Sequence, residues 1–218
     1  LLVIFLVRDV PISEERRNRK VELISDLKEA LQNKGILFTM IMFFLIQVCV
    51  MLLQPLITMY VGQLMGQVND EAVQMSGVIF SLAGISGILA APFWGKRGQQ
   101  YGYVKTFCYI TFGAGVVNLF QFFTTDVYQF AVVQFIYGLF LAGAIPNINA
   151  NLAEVTDKSI RGKAFGLVTS AQMSGGFVGP LLGGALGYFL PTKLVIISTG
   201  VILISVAGYT YLKKVKTL

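Results

Sequence analysis

The stretch ILFTMIMFFLIQVCVMLLQPLITMYV, residues 36–61, is apolar over nearly its whole length and carries no charged side chain. A run of about 20 such residues is long enough to cross the hydrocarbon core of a bilayer as an α-helix. A helix satisfies its own backbone hydrogen bonds, which the lipid interior cannot do. The stretch therefore predicts a transmembrane helix.

Five further apolar runs follow, separated by short polar loops. The six predicted spans are 36–61, 74–94, 106–123, 127–150, 163–190 and 194–212. Over the whole chain, 55% of the residues are hydrophobic and 13% are charged, which is too apolar for a soluble domain. We therefore expect an all-α membrane protein, with a six-transmembrane-helix bundle over residues 36–212 in contact with the lipid bilayer.

The segments outside the bundle are interpreted from their length and charge. Residues 1–7, LLVIFLV, are too short to span, so we expect them to be the end of a truncated transmembrane helix and the chain to be a fragment of a longer protein. Residues 8–35 form a charged loop, which is either a solvated linker or a short amphipathic helix on the membrane surface. Residues 213–218 are predicted to be a tail.

The basic residues alternate between successive loops. Sixteen of the 17 Lys and Arg residues lie in 8–35, 95–105, 151–163 and the tail, whereas the opposite loops contain only Lys193. By the positive-inside rule, the basic loops and the C-terminus are cytoplasmic. The net charge of +6 thus reflects membrane topology, and no nucleic-acid partner is expected.

Residue types that support catalysis or metal binding are scarce. The chain has no histidine and two cysteines, Cys49 and Cys108, both inside apolar runs. The usual general base and the usual zinc ligands are therefore missing, so we predict no metal site, no cofactor and no enzymatic activity. The middles of the spans also lack charged residues, which mark proton relays in membranes.

Two prolines suggest an internal repeat. Pro55 lies twenty residues into the first span, and Pro146 lies twenty residues into the fourth. Two triplets of helices joined in sequence must have opposite orientations in the membrane, as in transporters with inverted repeats. We therefore expect a 3+3 inverted repeat, although two prolines can also coincide by chance.

Uncharged polar and aromatic side chains within the spans are the candidates for contact with a solute. An unpaired amide in lipid costs several kcal/mol, so these side chains are expected to face inward. The candidates are Gln47, Met51, Gln54, Phe80, Gln134, Phe135, Tyr137 and Gln172. The amides have a second interpretation, in which they only join helices to one another.

The stretch GGFVGPLLGGALG, residues 175–187, combines glycine with apolar residues. Gly175, Gly179 and Gly183 are spaced by four, which places them on one helix face where a neighbouring helix can approach closely. Pro180 removes one backbone hydrogen bond and is expected to bend or soften the helix. The stripe is either a passive packing surface or one that also flexes.

Two motifs resemble those of the major facilitator superfamily. The segment 95–103, GKRGQQYGY, resembles a degenerate copy of its cytoplasmic loop motif: Gly95 and Gly102 match, but glutamines replace the motif's Asp and Arg. Lys96 and Arg97 are expected to hold this loop at phosphate headgroups. Gly175, Gly179, Pro180, Gly183 and Gly184 match the signature of the superfamily's drug:proton antiporters.

This resemblance implies a function. The chain would be the C-terminal half of a bacterial twelve-helix multidrug efflux transporter in the cytoplasmic membrane, with the N-terminal half of the same protein as its partner. Spans 36–61, 74–94, 127–150 and 163–190 would surround a cavity for a small hydrophobic or cationic drug, exported by proton-coupled alternating access. Pro55, Pro146 and the glycine signature would serve the conformational change. The alternatives are export of a sugar or small metabolite, and a non-transporting membrane scaffold.

Overall fold

The computed structural model describes residues 32–215, and their side chains as far as residue 212. From residue 33 onward the chain forms seven α-helices and one 3-10 turn. These are α1 (Lys34–Met65), α2 (Asp70–Tyr101), α3 (Tyr103–Phe120), the turn Gln121–Phe123, α4 (Val127–Leu141), α5 (Ala144–Val155), α6 (Arg161–Phe189) and α7 (Thr192–Val215).

The helices confirm the predicted class of an all-α membrane bundle. By length and composition, five segments of the described chain could cross a membrane: Lys34–Met65, Asp70–Tyr101, Tyr103–Phe123, Val127–Val155 and Thr192–Leu212. The fourth of these combines α4 and α5. Helix α6 is 29 residues long but is not among the five, because its glycines, serines and glutamine lower its mean hydropathy.

Side-chain caps fix where several helices begin. The Asn33 Oδ1 accepts hydrogen bonds from the backbone N–H groups of Gly35 and Ile36 at 2.9 and 3.3 Å, which starts α1. Asn69 caps α2 through the N–H of Ala72 at 3.0 Å. Such caps satisfy N–H groups that have no partner within the helix.

The prediction of a loop over residues 95–105 is wrong for most of that range. Helix α2 continues through Tyr101, and only Gly102 separates it from α3. Gly102 has φ of +90°, a conformation that glycine adopts without a steric penalty. The chain therefore turns at one residue, and Gly95 and Gly98 lie inside the helix without ending it.

The ends of the chain differ from expectation or fall outside the described part. The predicted truncated helix 1–7 and residues 8–31 of the predicted loop lie outside the described residues. At the other end, α7 continues to Val215, so the helix extends into the predicted tail 213–218.

The packing of the helices follows the predicted repeat. The most extensive contacts join α1 to α6, α3 to α7, and α2 to α4. If each of the first three spans is exchanged with its counterpart among the last three, α1 takes the place of α4, α2 that of α6, and α3 that of α7. The α1–α6 pair is then converted into the α4–α2 pair, and the α3–α7 pair is unchanged. This is the contact pattern of a 3+3 inverted repeat.

The α3–α7 pair contributes no residue to the lining of the site described below. The two helices cross where a Cβ added to Gly200 would lie 3.1 Å from the Gly115 carbonyl oxygen. One turn further along α3, the Asn118 side chain donates hydrogen bonds to the Ile196 carbonyl and the Thr199 hydroxyl at 3.1 and 2.8 Å. Close backbone approach and a buried amide together hold this pair.

Candidate functional site

A cleft of about 430 Å³ opens between α1, α2 and the fourth span, α4–α5. Four of its sixteen lining residues have polar side chains, namely Gln47, Gln54, Gln134 and Tyr137. The other lining residues are Ile46, Val50, Met51, Leu53, Ile57, Phe80, Ala83, Gly87, Gly138, Leu141, Ala142 and Ile145. A mostly apolar cleft with a few polar groups is typical of a site for a small lipophilic molecule.

Gln134 lies at the wall of the cleft and is 6% exposed. Its Oε1 accepts a hydrogen bond of 2.8 Å from the Nε2 of Gln121, in the 3-10 turn after α3. Gln121 is itself 1% exposed. A buried amide without a partner would destabilise the fold, so the second glutamine satisfies the first and fixes its orientation.

A second glutamine pair joins α1 to α6. The Oε1 of Gln47, which lines the cleft, accepts a hydrogen bond of 3.3 Å from the Nε2 of Gln172. Both side chains are partly buried. Gln172 is not among the lining residues, so it acts on the cleft through Gln47.

The other polar lining residues differ in burial. Gln54 is exposed, and it lies next to Pro55 in the middle of the uninterrupted helix α1. Tyr137 is 5% exposed, and its hydroxyl has no hydrogen-bond partner among residues 32–215. The cleft thus offers one accessible amide and one buried hydroxyl beside the paired glutamines.

The structure brings together six of the eight residues proposed from the sequence. Gln47, Met51, Gln54, Phe80, Gln134 and Tyr137 line the cleft. Phe135 and Gln172 do not, and no residue of α6 does. Among the described residues, α6 contributes only the bond from Gln172, because its glycine face packs on α1.

The glycine stripe of α6 lies directly against the backbone of α1. Gly175, Gly179 and Gly183 are buried. A Cβ added to Gly175 would lie 2.7 Å from the Phe44 carbonyl oxygen, and one added to Gly183 would overlap the Leu52 carbonyl oxygen. Gly184 has open space around it instead. We refer to this contact of α1 with Gly175, Gly179 and Gly183 as the α1–α6 seam.

The two repeat prolines have different surroundings. Pro55 lies inside α1, which continues without interruption, whereas Pro146 lies in the first turn of α5, just after the fourth span breaks. At the break, the N–H of Gly143 bonds to the Phe140 carbonyl rather than to that of Leu139. A proline is well tolerated in a first turn because its missing N–H has no partner there.

Trp94 completes the break in the fourth span, and its role was missed in the sequence. Its indole Nε1 donates a hydrogen bond of 2.7 Å to the Leu139 carbonyl that the break leaves free. Its own carbonyl accepts from the Asn147 side chain at 3.2 Å, and the same amide donates to the Gly143 carbonyl at 2.8 Å. A tryptophan at the end of an apolar run is usually an interfacial anchor, and nothing in the sequence around Trp94 indicates that it would bond to the fourth span.

The predicted loop-motif residues lie at the end of α2 and around the turn at Gly102. Lys96 and Arg97 are exposed, and Gly95 has open space around it. The Arg97 guanidinium donates to the Tyr101 hydroxyl at 3.0 Å and lies 5.2 Å from the Phe93 ring centroid. Arg97 therefore interacts with aromatic side chains of its own helix, and contact with phosphate headgroups stays a prediction.

Within residues 32–215, no group of three or more His, Cys, Asp or Glu side chains could hold a metal ion. The two cysteines, Cys49 and Cys108, are buried. The chemistry of the cleft is accordingly that of apolar surface, amides and one phenol.

Comparison with known proteins identifies similar sequences over most of the bundle. The profile of the Major Facilitator Superfamily matches residues 39–217. An uncharacterized MFS-type transporter, YuxJ of Bacillus subtilis, is 32% identical over 143 residues, which cover 66% of this chain and 36% of the relative. Multidrug resistance protein MdtG of Yersinia enterocolitica is 32% identical over 136 residues, covering 62% of this chain and 32% of the relative. MdtG of Escherichia coli matches equally well, with 33% of its length covered. The chain spans about a third of the length of these relatives.

Proposed function

Since the chain belongs to the Major Facilitator Superfamily, we propose that it forms the C-terminal half of a secondary transporter that exports lipophilic drugs. Membership in this family indicates a membrane transporter rather than an enzyme. In the proposed mechanism, this bundle and a second one rock about a central site and expose it alternately to the two sides of the membrane.

The observation that carries the proposal is the cleft between α1, α2 and α4–α5. Twelve of its sixteen lining residues are apolar or glycine, and the polar ones are uncharged. Apolar walls bind through non-directional burial of surface, which accommodates molecules of different shapes. The relatives named as multidrug resistance proteins support the same cargo class.

The alternatives fit the cleft less well. A sugar offers many hydroxyl groups, each of which would lose its hydrogen bonds to water against an apolar wall. A non-transporting scaffold has no need of amides that are held in place beside an open cleft. The mostly apolar lining therefore favours a lipophilic cargo over both.

The proposal also covers the membrane orientation and the conformational elements. The basic loops, including 8–35, and the C-terminal tail would face the cytoplasm of a bacterial cell. The α1–α6 seam would keep α1 and α6 together during the conformational change, and the prolines at 55, 146 and 180 would let their helices bend. The lipid bilayer and an N-terminal bundle of the same protein would be its partners.

Proton coupling would require an acidic residue outside this bundle. Of the described acidic residues, Asp70, Glu71, Asp126, Glu154 and Asp157 lie at or near helix ends. Since a proton relay needs an ionisable group within the membrane, we place the coupling carboxylate in the N-terminal bundle.

Dye efflux from cells tests the proposal. Bacteria lacking their own efflux pumps would express the complete natural protein that contains this sequence, and the loss of a preloaded neutral lipophilic dye would be followed by fluorescence. We expect energy-dependent efflux that stops when an ionophore collapses the proton gradient. Equal retention of the dye with and without the protein, at matched expression, would contradict the proposal.

A further inference from the structure

Two of the three glutamines that line the cleft, Gln47 and Gln134, share one feature of their hydrogen bonding. Gln134 accepts through its Oε1 from Gln121, and Gln47 accepts through its Oε1 from Gln172. In each pair, the residue beside the cleft uses its carbonyl oxygen, and the residue behind it donates. The two pairs come from different helices, so the same direction of hydrogen bonding occurs in two independent places.

The direction of these two hydrogen bonds decides which polar groups the cleft offers to a bound molecule. A glutamine amide has two N–H donors and one carbonyl oxygen. Because the carbonyl oxygen of Gln47 or Gln134 is turned to the glutamine behind it and already accepts one hydrogen bond, the two N–H groups are the larger part of the amide that remains for another partner. A molecule in the cleft therefore meets N–H donors at both positions.

The absence of charge in the lining of the cleft also bears on which molecules it binds. None of the sixteen residues around the cleft is acidic or basic. A cation that entered would lose its hydration without gaining a counter-charge from this bundle. The ring of Phe80 offers a cation–π contact, but that side chain is 38% exposed, so the contact would be weak.

We propose that this face of the cleft selects lipophilic molecules that carry a hydrogen-bond acceptor and no positive charge. The inference rests on the proposed transport function and narrows its cargo, since hydrophobic and cationic drugs were both expected from the sequence. Gln47 and Gln134 are the donors, and Gln172 and Gln121 are positioning residues that hold their carbonyl oxygens.

Two aromatic probes of similar shape separate the alternatives. Triphenylphosphine oxide is neutral and has one strong acceptor oxygen, whereas tetraphenylphosphonium is a cation without an acceptor. Equilibrium binding of each would be measured on the complete natural protein in lipid nanodiscs, without any ion gradient. We expect the oxide to bind more tightly than the phosphonium.

The variants test which side chains cause the preference. Gln134→Leu and Gln47→Leu should each weaken binding of the oxide about three- to tenfold, the loss of one hydrogen bond, and should change phosphonium binding less than twofold. Gln121→Leu should reduce the preference for the oxide, because the Gln134 amide is then free to turn its carbonyl oxygen toward the cleft. Gln67→Leu, the same change in the exposed loop between α1 and α2, should alter neither affinity.

The outcomes distinguish this inference from the proposed function. Tighter binding of the phosphonium by the unmodified protein, or equal loss of both probes in Gln134→Leu, would overturn the inference. If the oxide preference depends on the glutamines but no dye is exported, the inference about the cleft stands and the proposed export fails. If dye is exported while the preference is absent, the reverse holds.

Discussion

The repeat makes two helix contacts equivalent, the α1–α6 seam and the contact between α2 and α4. The two are held together in different ways. In the α1–α6 seam, the backbones lie so close that added methyl groups at Gly175, Gly179 or Gly183 would meet α1. In the α2–α4 contact, Gly77 and Gly84 of α2 have open space around them, and the close approach is confined to Gly138 of α4, where an added Cβ would lie 3.2 Å from the Ala83 carbonyl oxygen. Further along, the bonds of Trp94 to Leu139 and Asn147 join α2 to the fourth span.

This difference explains where the cleft lies. Close backbone contact leaves no room for a ligand between α1 and α6. Polar contacts concentrated around Trp94 hold α2 to the fourth span at one end and allow space beside α1, Phe80 and Gln134. The two contacts that the repeat relates thus differ in what they leave beside them: no space between α1 and α6, and an open cleft beside α2 and the fourth span.

The largest effect should come from filling the α1–α6 seam. Gly183→Ala would place a methyl group against the backbone of Leu52, which cannot move away as a side chain can. We expect the free energy of unfolding to fall by about 1–3 kcal/mol, read as a lower midpoint of thermal unfolding in detergent. Gly184→Ala is the matched control, because its neighbourhood is open. Equal melting of the two variants would refute the close contact.

A smaller effect should follow from removing the indole N–H at the break in the fourth span. Trp94→Phe leaves the Leu139 carbonyl without its donor, which costs about 1–3 kcal/mol for a buried group, less where water reaches this partly exposed site. The same thermal unfolding experiment measures it. Tyr188→Phe, which removes a polar group from a side chain that is 84% exposed, should leave the midpoint unchanged. An unshifted midpoint for Trp94→Phe would show that this bond does not hold the break.

The smallest effect is expected on the open face of α2. Gly84→Ala meets nothing within 4 Å, and alanine is favoured over glycine in a helix by up to about 1 kcal/mol. The thermal midpoint should therefore stay the same or rise slightly. If the midpoint fell as far as in Gly183→Ala, the helix faces at Gly84 and Gly183 would be equally packed in the complete protein. The contrast between the α2–α4 contact and the α1–α6 seam would then be lost.

Much of the fold was predictable because it depends on patterns along the chain. Apolar runs such as residues 36–61 indicate spans directly. The end of the second span was not predictable in the same way. Polar residues after Trp94 suggested a loop, but residues such as Gln99 and Gln100 are compatible with a helix, and only Gly102 breaks it.

The site was predictable in its members but not in their roles. A polar side chain in an apolar run must find a partner, which singled out Gln47, Gln134 and Gln172. Which of them faces the cleft depends on the rotation and packing of whole helices. Gln121 was not proposed, because it lies at a helix end where a polar residue is ordinary. The break before Gly143 lies four residues before Pro146, which cannot donate to the Ala142 carbonyl, but the bonds that Trp94 makes at the break depend on tertiary packing that no local pattern encodes.

The central claim, that cargo binds between α1, α2 and the fourth span, is tested most directly by protection of a single thiol. A cysteine replacing Gln54, which lines the cleft and is exposed, would be labelled with a membrane-permeant maleimide in a background without other cysteines. A cysteine replacing Phe177, on the exposed face of α6, is the reference. We predict that saturating triphenylphosphine oxide slows labelling of Gln54→Cys and leaves Phe177→Cys unchanged. Protection of Phe177→Cys alone, or of neither position while the ligand is bound, would contradict the account.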